Sequence, residues 1–412
     1  MTSHDTAHTV LIRVSGRDRP GITAGLLDVL TTTDVAIYDM EQVVVRDRLT
    51  LDVLVQLGDR DDALKKLLFW AHESDVALSF EAVEETSSRR GLPTFVVTVI
   101  GQPLTPPNLA AVTHAIADAG GNIDRILRLS RYPVTSFEFV VVGGDLASLR
   151  SNLVEASAAQ DIDVAVQRES LERRAKRLVV MDVDSTIIQD EVIELLAEEA
   201  GCLDEVRAIT EQAMNGELDF EASLRARCAK LAGTPEAALD RTRARVRLTP
   251  GARTFVRTLR RLGYEVALVS GGFQSIVEDI AAEVGAQHAR ANELEVVDGV
   301  LTGNLVGPIL DRAGKATVLR EIAEQSQIPL EQTVAVGDGA NDLDMLALAG
   351  LGIAFNAKPV VRDAADTALS LPYLDAVLFL LGIRRDQIEE ADAEDPNHDD
   401  VELVPVPGAP PA

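Results

Sequence analysis

The sequence predicts an α/β chain in which a capped, mostly parallel α/β sheet domain is preceded by two copies of a small α+β module. Three observations predict this. The order strand, helix, strand, strand, helix, strand reads twice before residue 167. After it come three short apolar runs, residues 178–181, 265–269 and 333–336, separated by helical text and each leading into Asp or Gly/Ser-Gly. Between the first two of those runs, residues 189–248 are almost wholly helical, which suits a cap.

In the first module a β-branched run over residues 9–14 breaks at Ser15-Gly16-Arg17-Asp18-Arg19-Pro20-Gly21, and a helical pattern follows over 22–30. Two strands over 35–45 and 49–57, a helix over 61–72 and a strand over 77–83 complete it. The same order begins again with a strand at 95–100 and a helix at 109–119. Strands at 123–129 and 136–142 come next, and a last helix and strand lie within 146–166. The spans from Gly16 to Ile37 and from Gly101 to Ile123 are nearly equal, which points to internal duplication. Expected boundaries are 1–86 and 94–167 for the modules, 168–177 for a charged linker or connecting helix and 178–385 for the sheet domain. Val297-Asp298-Gly299-Val300 is a hairpin signal within that last domain. Residues 386–412 read as a disordered acidic tail, because nine acids follow Arg385 without a single Lys or Arg.

The formal charge of −27 repels phosphate backbones and anionic lipid, so neither nucleic acid nor a membrane is an expected partner. It also repels anionic metabolites, so a phosphate site here must supply its cations locally. No secretory signal is visible at the N-terminus, and no apolar run approaches the ~20 residues of a membrane span. The two cysteines, Cys202 and Cys228, lack metal-ligand spacing and read as packed thiols in a reducing cytoplasm.

In open parallel sheets ligands bind at the carboxyl ends of the strands, and here those ends carry chemistry. The first delivers Asp182-Val183-Asp184-Ser185-Thr186, two carboxylates that repel one another unless a cation or a shared proton intervenes. The second delivers Ser270-Gly271-Gly272, a hydroxyl and successive amides that suit a phosphate at a helix N-terminus. The third delivers Gly337-Asp338-Gly339-Ala340-Asn341-Asp342. Between the second and third stands Lys315, one of six lysines in a chain whose other basic residues are arginines. Taken singly, an Asp-x-Asp is usually a turn, a Ser-Gly-Gly a loop and one Lys a solvated residue. Occurring together and in chain order, they provide a nucleophile, an acid/base, a phosphate cradle and metal ligands.

These four motifs, in this order, resemble the haloacid dehalogenase superfamily over residues 178 to about 382. The Asp-x-Asp-Ser-Thr form, the Ser-Gly-Gly-Phe run and the helical cap are similar to its phosphoserine phosphatase family. The resemblance implies a Rossmannoid fold and hydrolysis of O-phospho-L-serine to serine and phosphate, the last step of serine biosynthesis. Asp182 would be the nucleophile and Asp184 the acid/base. It implies Mg²⁺ held by Asp182, the Asp184 carbonyl and Asp338, with Asp342 orienting the metal shell. Ser270, Gly271, Lys315 and Asn341 would bind the phosphate; Glu191 and Arg227 the ammonium and carboxylate; Met214 and Phe220 the apolar wall. Taken without the resemblance, the last four also read as a solvated acid, a surface ion pair and two core residues.

The N-terminal repeats resemble ACT domains, ferredoxin-like modules that commonly bind amino acids and pair side by side. The carrying residues are the Gly16 to Gly21 loop and Tyr38-Asp39-Met40-Glu41-Gln42. This implies an effector site around Asp18 and Gly21, L-serine as the candidate effector, and a homodimer. The second copy has Pro107-Asn108 in place of Pro20-Gly21 and no matching acid. A purely structural dimerisation arm is the alternative for both copies. For the whole chain, a phosphatase for another small phosphate ester would keep the core motifs but not need Glu191 and Arg227. An amino-acid-sensing regulator with a vestigial phosphatase domain would be expected to lose catalytic positions, and none is lost.

Overall fold

The structure, a computed structural model, describes residues 8–33, 35–57, 60–83, 91–214 and 217–395. The chain divides into two compact units, Met1–Gly91 and Leu92–Ala412.

In the first unit, β1 (His8–Arg17), β2 (Val35–Val45), β3 (Arg48–Leu57) and β4 (Ala77–Ala82) form one antiparallel sheet in the order β2-β3-β1-β4. Period-two patterning decides its faces: Leu49, Leu51, Val53, Val55 and Leu57 of β3 are buried while the residues between them are more open. The helix Ile22–Thr31 buries Ile22, Leu26 and Leu30, one stripe at four-residue spacing. Gly25 is fixed by packing, since a Cβ there would stand 2.6 Å from the Trp70 indole nitrogen. Edge strand β2 exposes Ile37, Tyr38, Met40 and Val43 to Val45.

The second unit begins with the repeat. Strands β5 (Thr94–Gly101), β6 (Gly121–Ser130), β7 (Thr135–Gly143) and β8 (Asp163–Arg168) lie in the order β6-β7-β5-β8, the arrangement of the first sheet. Here the loop matching Gly16 to Gly21 is tied up internally. Asn108 accepts from the Thr105 amide at 2.7 Å and donates to the Gln160 carbonyl at 3.3 Å.

Seven strands form the main sheet, in the order β12-β11-β10-β9-β13-β14-β15. They are β9 (Leu178–Met181), β10 (Glu265–Phe273), β11 (His288–Val297), β12 (Val300–Val306), β13 (Thr333–Gly337), β14 (Gly352–Phe355) and β15 (Thr367–Leu369). All neighbours are parallel except β11 and β12, joined by the expected turn with Asp298 and Gly299 at φ 53° and 74°. Burial on both faces explains the continuous apolar runs: Val179, Met181, Val266 and Val336 enter one core layer, Leu178, Val180, Ala267 and Ala335 the other. The cap is built from helices Val192–Ala200, Leu203–Met214, Phe220–Ala229 and Ala237–Arg243. Its two connections are tied together, with Gln189 N donating to Arg247 O at 2.9 Å and Thr249 N to Ile187 O at 2.9 Å.

One alternative is decided and one expectation is corrected. Residues 168–177 take the connecting-helix alternative: they hold a short helix, Leu171–Arg174, and Arg173 is buried with its guanidinium 2.6 Å from Glu138. The second module is also packed onto the sheet domain. Ile100, Leu129, Val134 and Ala165 join the core of that domain, and Asp163 accepts from Ser370 N at 2.8 Å. The acidic tail, expected to be disordered from residue 386, opens with a helix, Arg385–Ala393, that buries Ile388. Asp392 anchors it to Arg257 at 2.6 Å and to Arg261. Residues 396–412 lie outside the described residues.

Cys202 and Cys228 are buried free thiols, and burial pushes Cys228 up to about 12. Among the described residues, no helix is long and apolar enough to cross a membrane.

Candidate active site

Strand β9 ends one residue before Asp182, whose amide still donates to Val336 O of β13 at 2.9 Å, so its backbone is fixed by the sheet. The chain then turns through Val183–Ile187, with Ser185 in the left-handed region at φ 56°. That conformation is unusual for a side-chain-bearing residue and is held by its surroundings. The Ser185 hydroxyl donates to Glu191 at 2.8 Å, and Asp184 accepts from Val192 N at 2.7 Å. The turn therefore aims Asp182, Asp184 and Glu191 at one cavity.

Strand β10 continues to Phe273, past the Ser270-Gly271-Gly272 run that the sequence placed at a helix N-terminus, and its pairing with β11 is irregular between Val269 and Phe273. Ser270 is fully buried; its hydroxyl donates to Asp184 Oδ2 at 2.9 Å and accepts from Gly272 N at 2.7 Å. Gly271 is held through its carbonyl by Asn292 of β11 at 2.9 Å, and the same Asn292 accepts from Leu310 N at 2.7 Å. A side chain at Gly271 would press on Phe220 of the cap, 3.1 Å from a Cβ.

Lys315 lies in the helix Arg312–Gln325, buried, with its ammonium 2.7 Å from Asp182 Oδ1 and 2.7 Å from Asp342 Oδ1. Asp342 Oδ2 accepts from Gly339 N at 3.0 Å, and Asp338 accepts from Thr186 Oγ1 at 3.3 Å. The carboxylates of Asp182, Asp338 and Asp342 thus gather within 4.8 Å.

The electrostatics follow from that crowding. Burial, then the charge of Asp342, pushes Asp182 well up despite Lys315. Burial also raises Asp184 against its two hydrogen-bond donors, and raises Asp338 to about 6 with the help of Asp342. Burial and the nearby Asp184 push Glu191 up to about 7. In the cap, burial lowers Arg227, whose guanidinium has no carboxylate within ion-pair distance among the described residues.

One cavity of about 590 Å³ takes in Asp182, Asp184, Glu191, Phe220, Arg227, Gly271, Asp338 and Asn341, with Ser270 and Lys315 held against Asp184 and Asp182 at its base. Met214 ends the helix Leu203–Met214, and its side chain lies outside the described residues. Asp18 and Gly21 belong to the first unit; both are exposed, and Gly21 caps the helix Ile22–Thr31 at φ 96°. Sequence reasoning missed Asn292, Arg312 and Lys358 and gave no task to Ser185 or Thr186, although both stand inside the Asp182 motif. For Asn292, in the middle of a strand, no local signal existed.

Residues 179–347 match the haloacid dehalogenase-like hydrolase family, and residues 8–81 and 93–167 each match ACT domains. A phosphoserine phosphatase of Streptomyces coelicolor is 53% identical over 387 residues, covering 93% of this chain and 94% of that protein. One from Mycobacterium tuberculosis is 49% identical over 94% of this chain and 96% of its own length. Among solved structures, a HAD family hydrolase of Salmonella enterica serovar Typhi aligns with a TM-score of 0.62 at 29% identity, over 70% of this chain and 98% of that one. A probable phosphoserine phosphatase from Vibrio cholerae aligns at 0.56 with 34% identity, over 73% and 89%. With half of the sequence identical over nearly full length, the chain belongs to the phosphoserine phosphatase family of haloacid dehalogenase-like hydrolases.

Proposed function

We propose that this chain hydrolyses O-phospho-L-serine to L-serine and phosphate, as the final, cytoplasmic step of serine formation. The observation that carries this reading is the pairing, in one cavity, of a phosphoryl-transfer centre with Glu191 and with Arg227, which forms no ion pair among the described residues, one group for each charge of the amino-acid end.

Among the described residues, both polar contacts to the Asp182 carboxylate, from Val183 N and Lys315, fall on Oδ1, which leaves Oδ2 for attack. A bond forms from Asp182 to phosphorus as the bond from phosphorus to the seryl oxygen breaks, and Asp184 gives that oxygen its proton. Burial keeps Asp184 protonated more readily than an ordinary carboxyl. Water then attacks the aspartyl-phosphate, Asp184 takes up the water's proton, and phosphate leaves. Ser270, Gly271, Lys315 and Asn341 hold the transferring oxygens, while Phe220, joined by Met214, walls the apolar side.

The donor set fits a hard divalent cation: oxygens only, crowded and buried, with carboxyls pushed up by burial and by one another. Asp182, the Asp184 carbonyl and Asp338 would hold Mg²⁺, with Asp342 fixing the group from behind; when bound it neutralises charge on the phosphate. A pH dependence follows. Glu191, raised from 4.5 to about 7, and Asp338, raised from 3.8 to about 6, bind more protons folded than unfolded. The metal-free protein should therefore lose stability as pH rises through about 4 to 7. Mg²⁺ favours the ionised carboxylates, so its rise in Tm should be larger at pH 7.5 than at pH 5. An equal rise at both pH values in differential scanning fluorimetry would remove the carboxylate cluster as the metal's site.

Specificity should rest on Glu191 and Arg227. Glu191→Gln or Arg227→Ala should cost about 2–5 kcal/mol in kcat/KM on phosphoserine, by leaving a substrate charge unpaired in a closed site. Activity on an aryl phosphate, with neither ammonium nor carboxylate, should fall much less. Equal losses on both substrates would assign these residues to the fold.

For the N-terminal modules we propose regulation by L-serine at Asp18 and Gly21 and homodimerisation through them. The exposed apolar edge strand β2 supports pairing, and the open space beside Gly21 supports a ligand. Millimolar serine should then inhibit or shift assembly in the wild type, and an Asp18→Ala variant should lose that response in activity assays and sedimentation. An unchanged response would make the modules structural.

A further inference from the structure

The cavity is short of free positive charge for a substrate that enters with a phosphate dianion and a carboxylate. Among the described residues, four carboxyl groups line it: Asp182, Asp184, Glu191 and Asp338. Of the cations present, Lys315 is shared between Asp182 and Asp342, and Arg312 is paired with Asp344, 2.7 Å from its Nε. Arg227 stands on the cap side. Among the described residues, the one other cation lining the cavity is Lys358, on the loop between β14 and β15. It is exposed and, among the described residues, in no ion pair.

Its placement is set by the backbone. Asn356 is in the left-handed region at φ 47°, with its amide bonded to Leu369 O at 2.7 Å, and Pro359 starts the short helix Pro359–Arg362 directly after Lys358. This holds the loop against β15, with Val360 and Val361 also facing the cavity and Val361 buried beneath it. Composition points the same way. The chain uses arginine for nearly all its positive charge, yet two of its six lysines stand at this one site.

We propose that Lys358 is a substrate-capture residue: its ammonium draws the phosphate dianion into a cavity otherwise dominated by carboxylates and holds it until the cation beneath it, Lys315, takes over. The proposal rests on the phosphatase reading but not on the identity of the ester. A rim charge of this kind acts at long range through water, so it changes capture far more than chemistry and is screened by salt. A flexible ammonium serves as a point charge here, so Arg can replace it.

The test compares the full-length wild type with Lys358→Ala, Lys358→Arg and Arg320→Gln, each with Mg²⁺, on phosphoserine and on p-nitrophenyl phosphate, at low and at 0.5 M NaCl. Arg320→Gln removes one exposed positive charge that does not line the cavity. Lys358→Ala is expected to raise KM by roughly fivefold on both substrates at low salt, with kcat within about twofold, and the difference should shrink at high salt. Lys358→Arg and Arg320→Gln should behave as the wild type. An unchanged KM in Lys358→Ala, a loss confined to kcat, a loss insensitive to salt, or a Lys358→Arg variant as impaired as Lys358→Ala would overturn the assignment. If the wild type hydrolyses the aryl phosphate but not phosphoserine, the substrate reading fails while Lys358 is still judged on the aryl ester.

Discussion

Asp182→Asn is expected to lower turnover by about 10⁴-fold or more while leaving the fold in place. An amide cannot attack phosphorus, and losing an enzyme's nucleophile commonly costs this much. The fold should survive because Asp182 is a charge that burial and its neighbours already oppose, and Lys315 keeps Asp342 as a partner. Thermal unfolding of the variant should therefore stay close to the wild type. Beryllofluoride or radiolabelled phosphate should label Asp182 in the wild type alone. Turnover retained in the Asn variant with Mg²⁺ present would remove the covalent mechanism.

Lys315→Met is expected to damage both activity and stability, which separates it from the nucleophile variant. Its ammonium lies between two buried carboxylates, and their charge, with the hydrogen bonds to both, holds it firmly protonated against burial. Removing it leaves Asp182 and Asp342 facing one another without a cation, and breaking such a buried arrangement costs about 3–5 kcal/mol. The loss should shrink toward pH 5, because Asp182 protonates more readily than an ordinary carboxyl. Adding Asp342→Asn should restore much of the stability and none of the activity. Urea unfolding of the single and double variants measures this directly; equal stability of Lys315→Met and wild type at pH 7.5 would show that the lysine does not hold the cluster together.

What the sequence made legible was local. Leu178–Met181 and Thr333–Gly337 announce themselves because central parallel strands are apolar on both faces, Asp182, Ser270 and Asp338 stand at or just past the ends of such strands, and Lys315 lies in the helix that precedes Thr333–Gly337. The duplication was legible because both modules repeat one hydrophobic rhythm. What was hidden depends on partners distant in sequence. Nothing in the text around Asn292 shows that it ties Gly271 to Leu310. The helix Arg385–Ala393 looks like an acidic tail until Asp392 meets Arg257 and Arg261, more than 130 residues earlier, and Ile388 finds the core. Likewise the charged stretch around Arg173 reads equally as a linker or a connecting helix because its partner, Glu138, lies in β7. Lys358 carries no motif at all; only the fold brings it to the cavity.

The central claim is that one cavity matches both the phosphate and the amino-acid end of phosphoserine. Its most direct test is phosphate release by the full-length chain from O-phospho-L-serine beside O-phosphothreonine, glycerol 3-phosphate, a sugar phosphate and an aryl phosphate, with Mg²⁺ and with a chelator. The expected result is a kcat/KM for phosphoserine at least ~100-fold above the esters lacking an amino-acid end, since a site built around charged partners rejects substrates that leave them unpaired, with all activity lost to the chelator. Preference for another ester, or full activity without metal, would contradict the account.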